Sequence, residues 1–105
     1  MKVDFTTKLK DIRGDVLTER YIDKEGKQQR KDVTLSDVAL TALTQDDAAK
    51  PINAVEKMLR YKIAERVFGK KSVDLTNADL VKIQDCIGES MPTTYVGACF
   101  KLLEK

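Results

Sequence analysis

Apolar positions in the first third of the chain alternate with polar ones, and in the remainder they recur every three or four residues. Val3, Phe5, Thr7 and Leu9 interleave with Asp4, Thr6, Lys8 and Lys10, the period of a strand with one face on a core. Arg13-Gly14-Asp15 then supplies a turn. A second extended run covers Val16 to Ile22, Asp23-Lys24-Glu25-Gly26 offers a glycine for a hairpin loop, and the chain returns through Gln28 to Val33. The pattern predicts a two- or three-stranded antiparallel meander over residues 1–34 with a charged tip. A sheet this small is marginal alone, so the following helices are expected to cover one of its faces.

The helical period begins at a capping box, Thr34-Leu35-Ser36-Asp37, ahead of the stripe Leu35, Val38, Ala39, Ala42 and Leu43; Gln45-Asp46-Asp47 ends it. Pro51 suits the first turn of a second helix, in which Ile52, Val55, Leu59, Ile63 and Val67 form the strongest stripe in the chain before Gly69 stops it. Thr76-Asn77-Ala78-Asp79 repeats the capping chemistry before Leu80, Ile83, Cys86 and Ile87, with Gly88 as the expected stop. Met91-Pro92 opens a last helix to about Leu103, with Val96, Cys99, Leu102 and Leu103 inward. The fold class expected is therefore α+β: an N-terminal meander followed by about four short helices over 35–105. The connections are short and there is no linker, so residues 1–105 read as one domain.

Composition narrows the chemistry more than the fold. The 105 residues carry 19 Lys plus Arg and 17 Asp plus Glu, a net charge of +2, too near balance to imply a nucleic-acid or membrane partner by itself. There is no His, which removes the commonest general base and zinc ligand and argues against triad hydrolases and most metal hydrolases. Charge in Met1-Lys2-Val3-Asp4-Phe5 falls where a secretory signal needs an apolar run, and no stretch approaches a membrane span; a soluble, cytoplasmic protein without membrane contact is expected. Cys86 and Cys99 sit on apolar stripes and read as buried free thiols, with a disulfide or a reactive thiol as the alternatives.

Candidate sites are few. Arg13-Gly14-Asp15 spells an adhesion tripeptide but reads as a turn, and Asp46-Asp47 and the pair Asp74 and Asp79 lack the spacing of a calcium loop. The glycines are isolated, so no phosphate cradle is formed. No catalytic, metal or cofactor residue is assigned and no cofactor is expected. Two basic groups remain: Lys24, Lys27, Arg30 and Lys31 about the hairpin tip, and Arg66, Lys70 and Lys71 at the end of the second helix, with Lys62 one turn earlier. Helix-dipole complementation and edge-strand protection account for both, and phosphate contact is the competing reading. Tyr21 and Tyr95 are the aromatics expected on a protein-docking surface, with packing at the core margin as the alternative.

Phe5 through Ile12-Arg13-Gly14-Asp15, Val33-Thr34-Leu35-Ser36-Asp37-Val38, the run Ser72 to Leu80, and Tyr95-Val96-Gly97 before Leu102 resemble small uncharacterised proteins of tailed bacteriophages and prophages. The resemblance spans most of the chain and implies a phage or prophage origin and a bacterial cytoplasm; it carries over no catalytic residue. The expected function is a non-enzymatic protein-interaction factor, monomeric or a small homo-oligomer, serving virion assembly or binding a host protein. The alternative is a nucleic-acid-binding accessory protein that uses the two basic groups.

Overall fold

The structure, a computed structural model, describes residues 2–45 and 51–103. Its first departure from simple alternation is at Asp4. The Asp4 carboxylate accepts the Thr6 N–H at 2.8 Å and its carbonyl accepts the Thr7 N–H at 3.4 Å, so residues 4–7 turn instead of continuing a strand. The run is thereby split into β1 (Lys2–Val3) and separate bridges at Lys8 and Lys10. The strand expected to run to Leu9 is thus corrected, yet its parity survives, since Val3, Phe5 and Leu9 are all buried.

Two loops with one chemistry shape the next segment. In Asp11-Ile12-Arg13-Gly14-Asp15 and Asp23-Lys24-Glu25-Gly26-Lys27 the first Asp donates its N–H to the fifth carbonyl, at 2.9 and 3.0 Å, and its own carbonyl accepts the Gly N–H at 3.0 Å in both. The Asp Oδ1 accepts the N–H of the third and fifth residues in each loop. Gly14 and Gly26 stand at φ +88° and +81°, which a side chain disfavours. The turn expected at Arg13-Gly14-Asp15 is therefore present, with Asp11 as its organiser.

The three segments these loops connect close on one another. Leu9 N–H donates to the Val33 carbonyl at 2.9 Å, Val33 N–H to the Leu17 carbonyl at 2.8 Å, and Leu17 N–H to the Leu9 carbonyl at 2.8 Å. Bridges Lys8 to Thr34 and Lys10 to Val16 flank this ring. Beyond it, β2 (Thr18–Ile22) and β3 (Gln28–Asp32) continue as an antiparallel ribbon pairing Thr18 with Asp32 through Ile22 with Gln28. Every residue of both strands is exposed, so the expectation that helices cover one face of the sheet is corrected: the ring is packed on the core and the ribbon projects from it. The ring closes by backbone pairing, and most side chains of the ribbon are polar or charged, so it can stand in solvent with Tyr21 and Ile22 exposed.

The helices follow their caps. α1 (Leu35–Thr44) and α3 (Asn77–Ser90) begin at Thr34 and Thr76, each in a reciprocal capping box with Asp37 or Asp79, and Gln45 ends α1. Asp46-Asp47 lies outside the described residues. α2 (Ala54–Val67) starts later than expected, capped by Asn53, whose Oδ1 accepts the Glu56 N–H at 2.8 Å; Pro51 precedes the helix. Its stripe is also corrected. Ile63, Ala64 and Val67 are buried, whereas Val55 is 71% exposed and Leu59 49%. Gly69 at φ +68° follows the end of α2, as expected, and its N–H donates to the hydroxyl of Ser36, a buried polar residue, at 2.8 Å. Gly88 does not end α3: the helix runs to Ser90, the Met91 N–H still bonds the Ile87 carbonyl, and Pro92 supplies the break before α4 (Thr93–Leu103). Between α2 and α3, β4 (Val73–Asp74) pairs antiparallel with β1, a strand the residue pattern was too short to show.

The buried cluster joins Val3, Phe5, Leu9 and Val33 from the meander to Leu35, Val38, Ala39, Leu43, Ile63, Val67, Ile83, Ile87, Cys99 and Leu103 from the four helices. At its margin Glu56 on α2 accepts from Lys82 of α3 at 2.6 Å and from Arg60 at 3.1 Å. The Lys82 bond first, then that of Arg60, holds the Glu56 carboxyl below its ordinary value. A carboxylate with a depressed folded pKa stabilises above its unfolded value and loses that contribution as pH falls through the folded one. Glu56→Gln should therefore cost about 1 kcal/mol at pH 7, and chemical unfolding of both proteins near pH 2 should show the difference gone.

Candidate interaction surface

Side chains alternate along a ribbon, so the pairing register divides this one into two faces. Glu19, Tyr21, Gln29 and Lys31 share the first, and Thr18, Arg20, Ile22, Gln28, Arg30 and Asp32 the second. On the first face Lys31 binds Glu19 at 3.1 Å, and that bond first, with Asp37 and Tyr21 adding to it, raises the Lys31 pKa. Asp37 belongs to α1, so this face looks toward the helices.

Between them lies a hollow of about 300 Å³. Its ribbon wall is the Glu19–Lys31 rung, its floor Val33 and Val38, and its far side Leu40, Thr41, Met91 and Tyr95. The structure thus brings Tyr95 into one groove with the ribbon, and Tyr21 stands on the same ribbon face two residues from Glu19. Glu19, Asp37, Thr41 and Met91 carried no signal in the sequence as site residues. The Asp-x-x-Gly-x loop was the available clue, because it fixes the register that sets Glu19 against Lys31. A larger hollow, about 440 Å³ between Thr7–Gly14 and α4, holds neither the basic groups nor Tyr21 or Tyr95; of the candidate positions only Gly14 of the Arg13-Gly14-Asp15 turn lines it.

The two basic groups are not one site. Lys24 and Lys27 lie in the tip loop, where Lys27 is 4.0 Å from Glu25, while Arg30 and Lys31 point to opposite ribbon faces. Arg66 is a brace: its guanidinium donates to the Asp79 carboxylate and the Asp74 carbonyl, each at 3.3 Å, fastening the end of α2 to the start of α3. Burial opposes ionisation of Asp79, but the Thr76 cap and Arg66 outweigh it and hold the pKa below its ordinary value. Lys70 and Lys71 are exposed after α2, and no hydrogen bond or ion pair among the described residues joins them to the ribbon.

Cys86 and Cys99 are free and buried, and burial raises both thiols, Cys99 to about 12. Among the described residues no group of three His, Cys, Asp or Glu side chains could hold a metal ion, and no helix is long and apolar enough to cross a membrane. No family model, curated protein or solved structure matches the chain.

Proposed function

We propose that this chain is a non-enzymatic protein-interaction factor of phage or prophage type, acting in the bacterial cytoplasm either in virion assembly or on a host protein. One observation carries the reading: a groove of about 300 Å³ between the projecting ribbon and the helical body, with apolar Val38, Leu40 and Met91 beside Tyr95 and an ion-paired wall. Apolar floor, aromatic anchor and polar rim are the parts of a protein-recognition surface. Among the described residues β2 and β3 pair only with each other beyond the ring, which leaves both edges of the ribbon for strand addition. The resemblance in the turns and helix caps supports the phage assignment. The chain's thiols are buried in their protonated form, which favours binding over chemistry.

The test is retention of a protein from phage-infected lysate on the immobilised chain, compared with Thr41→Arg/Tyr95→Arg, which places charge in the groove at one exposed and one half-buried position. Loss of the retained protein at unchanged Tm is expected. Equal retention by both proteins contradicts the groove.

A further inference from the structure

The outward face of the ribbon carries a different chemistry. Hydrogen bonds at Asp23–Lys27 and Val33–Leu17 fix the alternation of the ladder. Counting inward by twos makes Tyr21–Gln29 and Glu19–Lys31 the hydrogen-bonded pairs, and leaves Arg20–Arg30 a non-hydrogen-bonded pair, the arrangement that brings facing side chains closest. Two Arg side chains therefore leave the ribbon directly opposite one another on an exposed face. Neither has an ion-pair partner among the described residues. The carboxylate on this face, Asp32, is held by Lys8 at 2.9 Å. At the tip Asp23 is occupied by the N–H groups of Glu25 and Lys27 and by the Gln29 amide, and Glu25 lies beside Lys27 at 4.0 Å. Internal pairing thus consumes the acidic residues of the ribbon and leaves Arg20, Arg30 and Lys24 presented to solvent, although the ribbon as a whole is nearly neutral.

Like charges directly opposite destabilise a strand pair, so the fold gains nothing from this rung. An anion inserted between the two forks relieves the repulsion, and Arg is suited to phosphate by its planar, bidentate donors. The scaffold has a matching shape: a two-stranded ribbon fits the major groove of B-form DNA, where both flanking backbones present phosphates, whereas the deep, narrow groove of A-form RNA does not admit it. We infer that the outward face of β2–β3 binds duplex DNA, with Arg20 and Arg30 on phosphate oxygens and Lys24 following the backbone at the tip. This activity does not depend on the protein-docking groove, which uses the opposite face.

Fluorescence anisotropy of a labelled duplex of about 20 base pairs, titrated across a salt series, tests it. With three phosphate contacts the log-log salt slope should be about −2.7, and Arg20→Ala/Arg30→Ala should weaken binding roughly tenfold or more and flatten the slope by about 1.8. Arg20→Glu, which places an opposite charge across from Arg30, should abolish binding while Tm holds or rises, and Lys70→Ala/Lys71→Ala should bind as wild type. No binding by wild type at about 50 mM salt, wild-type affinity and slope in Arg20→Ala/Arg30→Ala, or poly-glutamate competing as strongly as unlabelled duplex would each overturn it. Because Thr41→Arg/Tyr95→Arg alters only the groove, it should leave DNA binding intact, so the two activities fail separately.

Discussion

Phe5→Ala is expected to destabilise the protein by about 3–5 kcal/mol, out of the 5–15 kcal/mol typical of a whole domain. Phe5 is among the fully buried side chains, at 0% exposure, and it lies where three parts of the fold meet. Its N–H donates to the Lys70 carbonyl at 3.0 Å and its carbonyl accepts the Ser36 N–H at 2.8 Å, so one residue ties the N-terminal turn to the start of α1 and to the loop after α2. Removing the ring leaves a cavity that rigid neighbours fill poorly. Thermal unfolding followed by circular dichroism should show a fall of about 4–8 °C per kcal/mol lost. A change of under about 1 kcal/mol would mean that Phe5 packs less tightly than its burial implies.

The second large effect is expected of Val33→Pro. The Val33 N–H closes the ring to Leu17 at 2.8 Å, and its side chain is 2% exposed. Proline removes that donor, leaves a carbonyl unpaired in a partly buried place and distorts the entry to the Thr34 cap. A cost of about 3 kcal/mol or more is expected. Gln28→Pro provides the contrast within the same hairpin. Gln28 belongs to a non-hydrogen-bonded pair, so its N–H points away from β2 toward solvent, and the cost there should stay within about 1 kcal/mol. Equal losses at the two positions would show that the ring does not anchor the meander.

Local chemistry was legible where a signal was short and self-contained. Thr34 with Asp37 and Thr76 with Asp79 fixed two helix starts, and Gly69 marked the end of α2. Legibility failed where tertiary contacts decide. Val55 and Leu59 have helical spacing with Ile63, yet α2 is seated by Ile63, Ala64 and Val67 and by the Glu56–Lys82 pair, which turns Val55 outward. Gly88 sits in a helix because the bonds through Met91 continue past it and Pro92 is the stronger stop. For the surface, the pattern points to Tyr21 and Tyr95 as exposed aromatics, but the groove that holds Tyr95 depends on how the ribbon leaves the ring. Arg20 gives no signal in the sequence because its partner across the strand is set by register. A basic residue counts for little in a composition near balance, and for much when its neighbours across the strand carry the same charge.

The most direct test of a projecting, binding ribbon is to excise it. The Val33 N–H already donates to the Leu17 carbonyl, the bond that closes a two-residue turn, so Asn-Gly in place of residues 18–32 would close the ring. Every residue of β2 and β3 is exposed and none belongs to the buried cluster, so unfolding free energy should stay within about 1 kcal/mol of wild type, while partner retention and duplex binding are both lost. A shortened protein that fails to fold would contradict a ribbon that only projects from the core, and one that folds and still binds would contradict its assignment as the contact element.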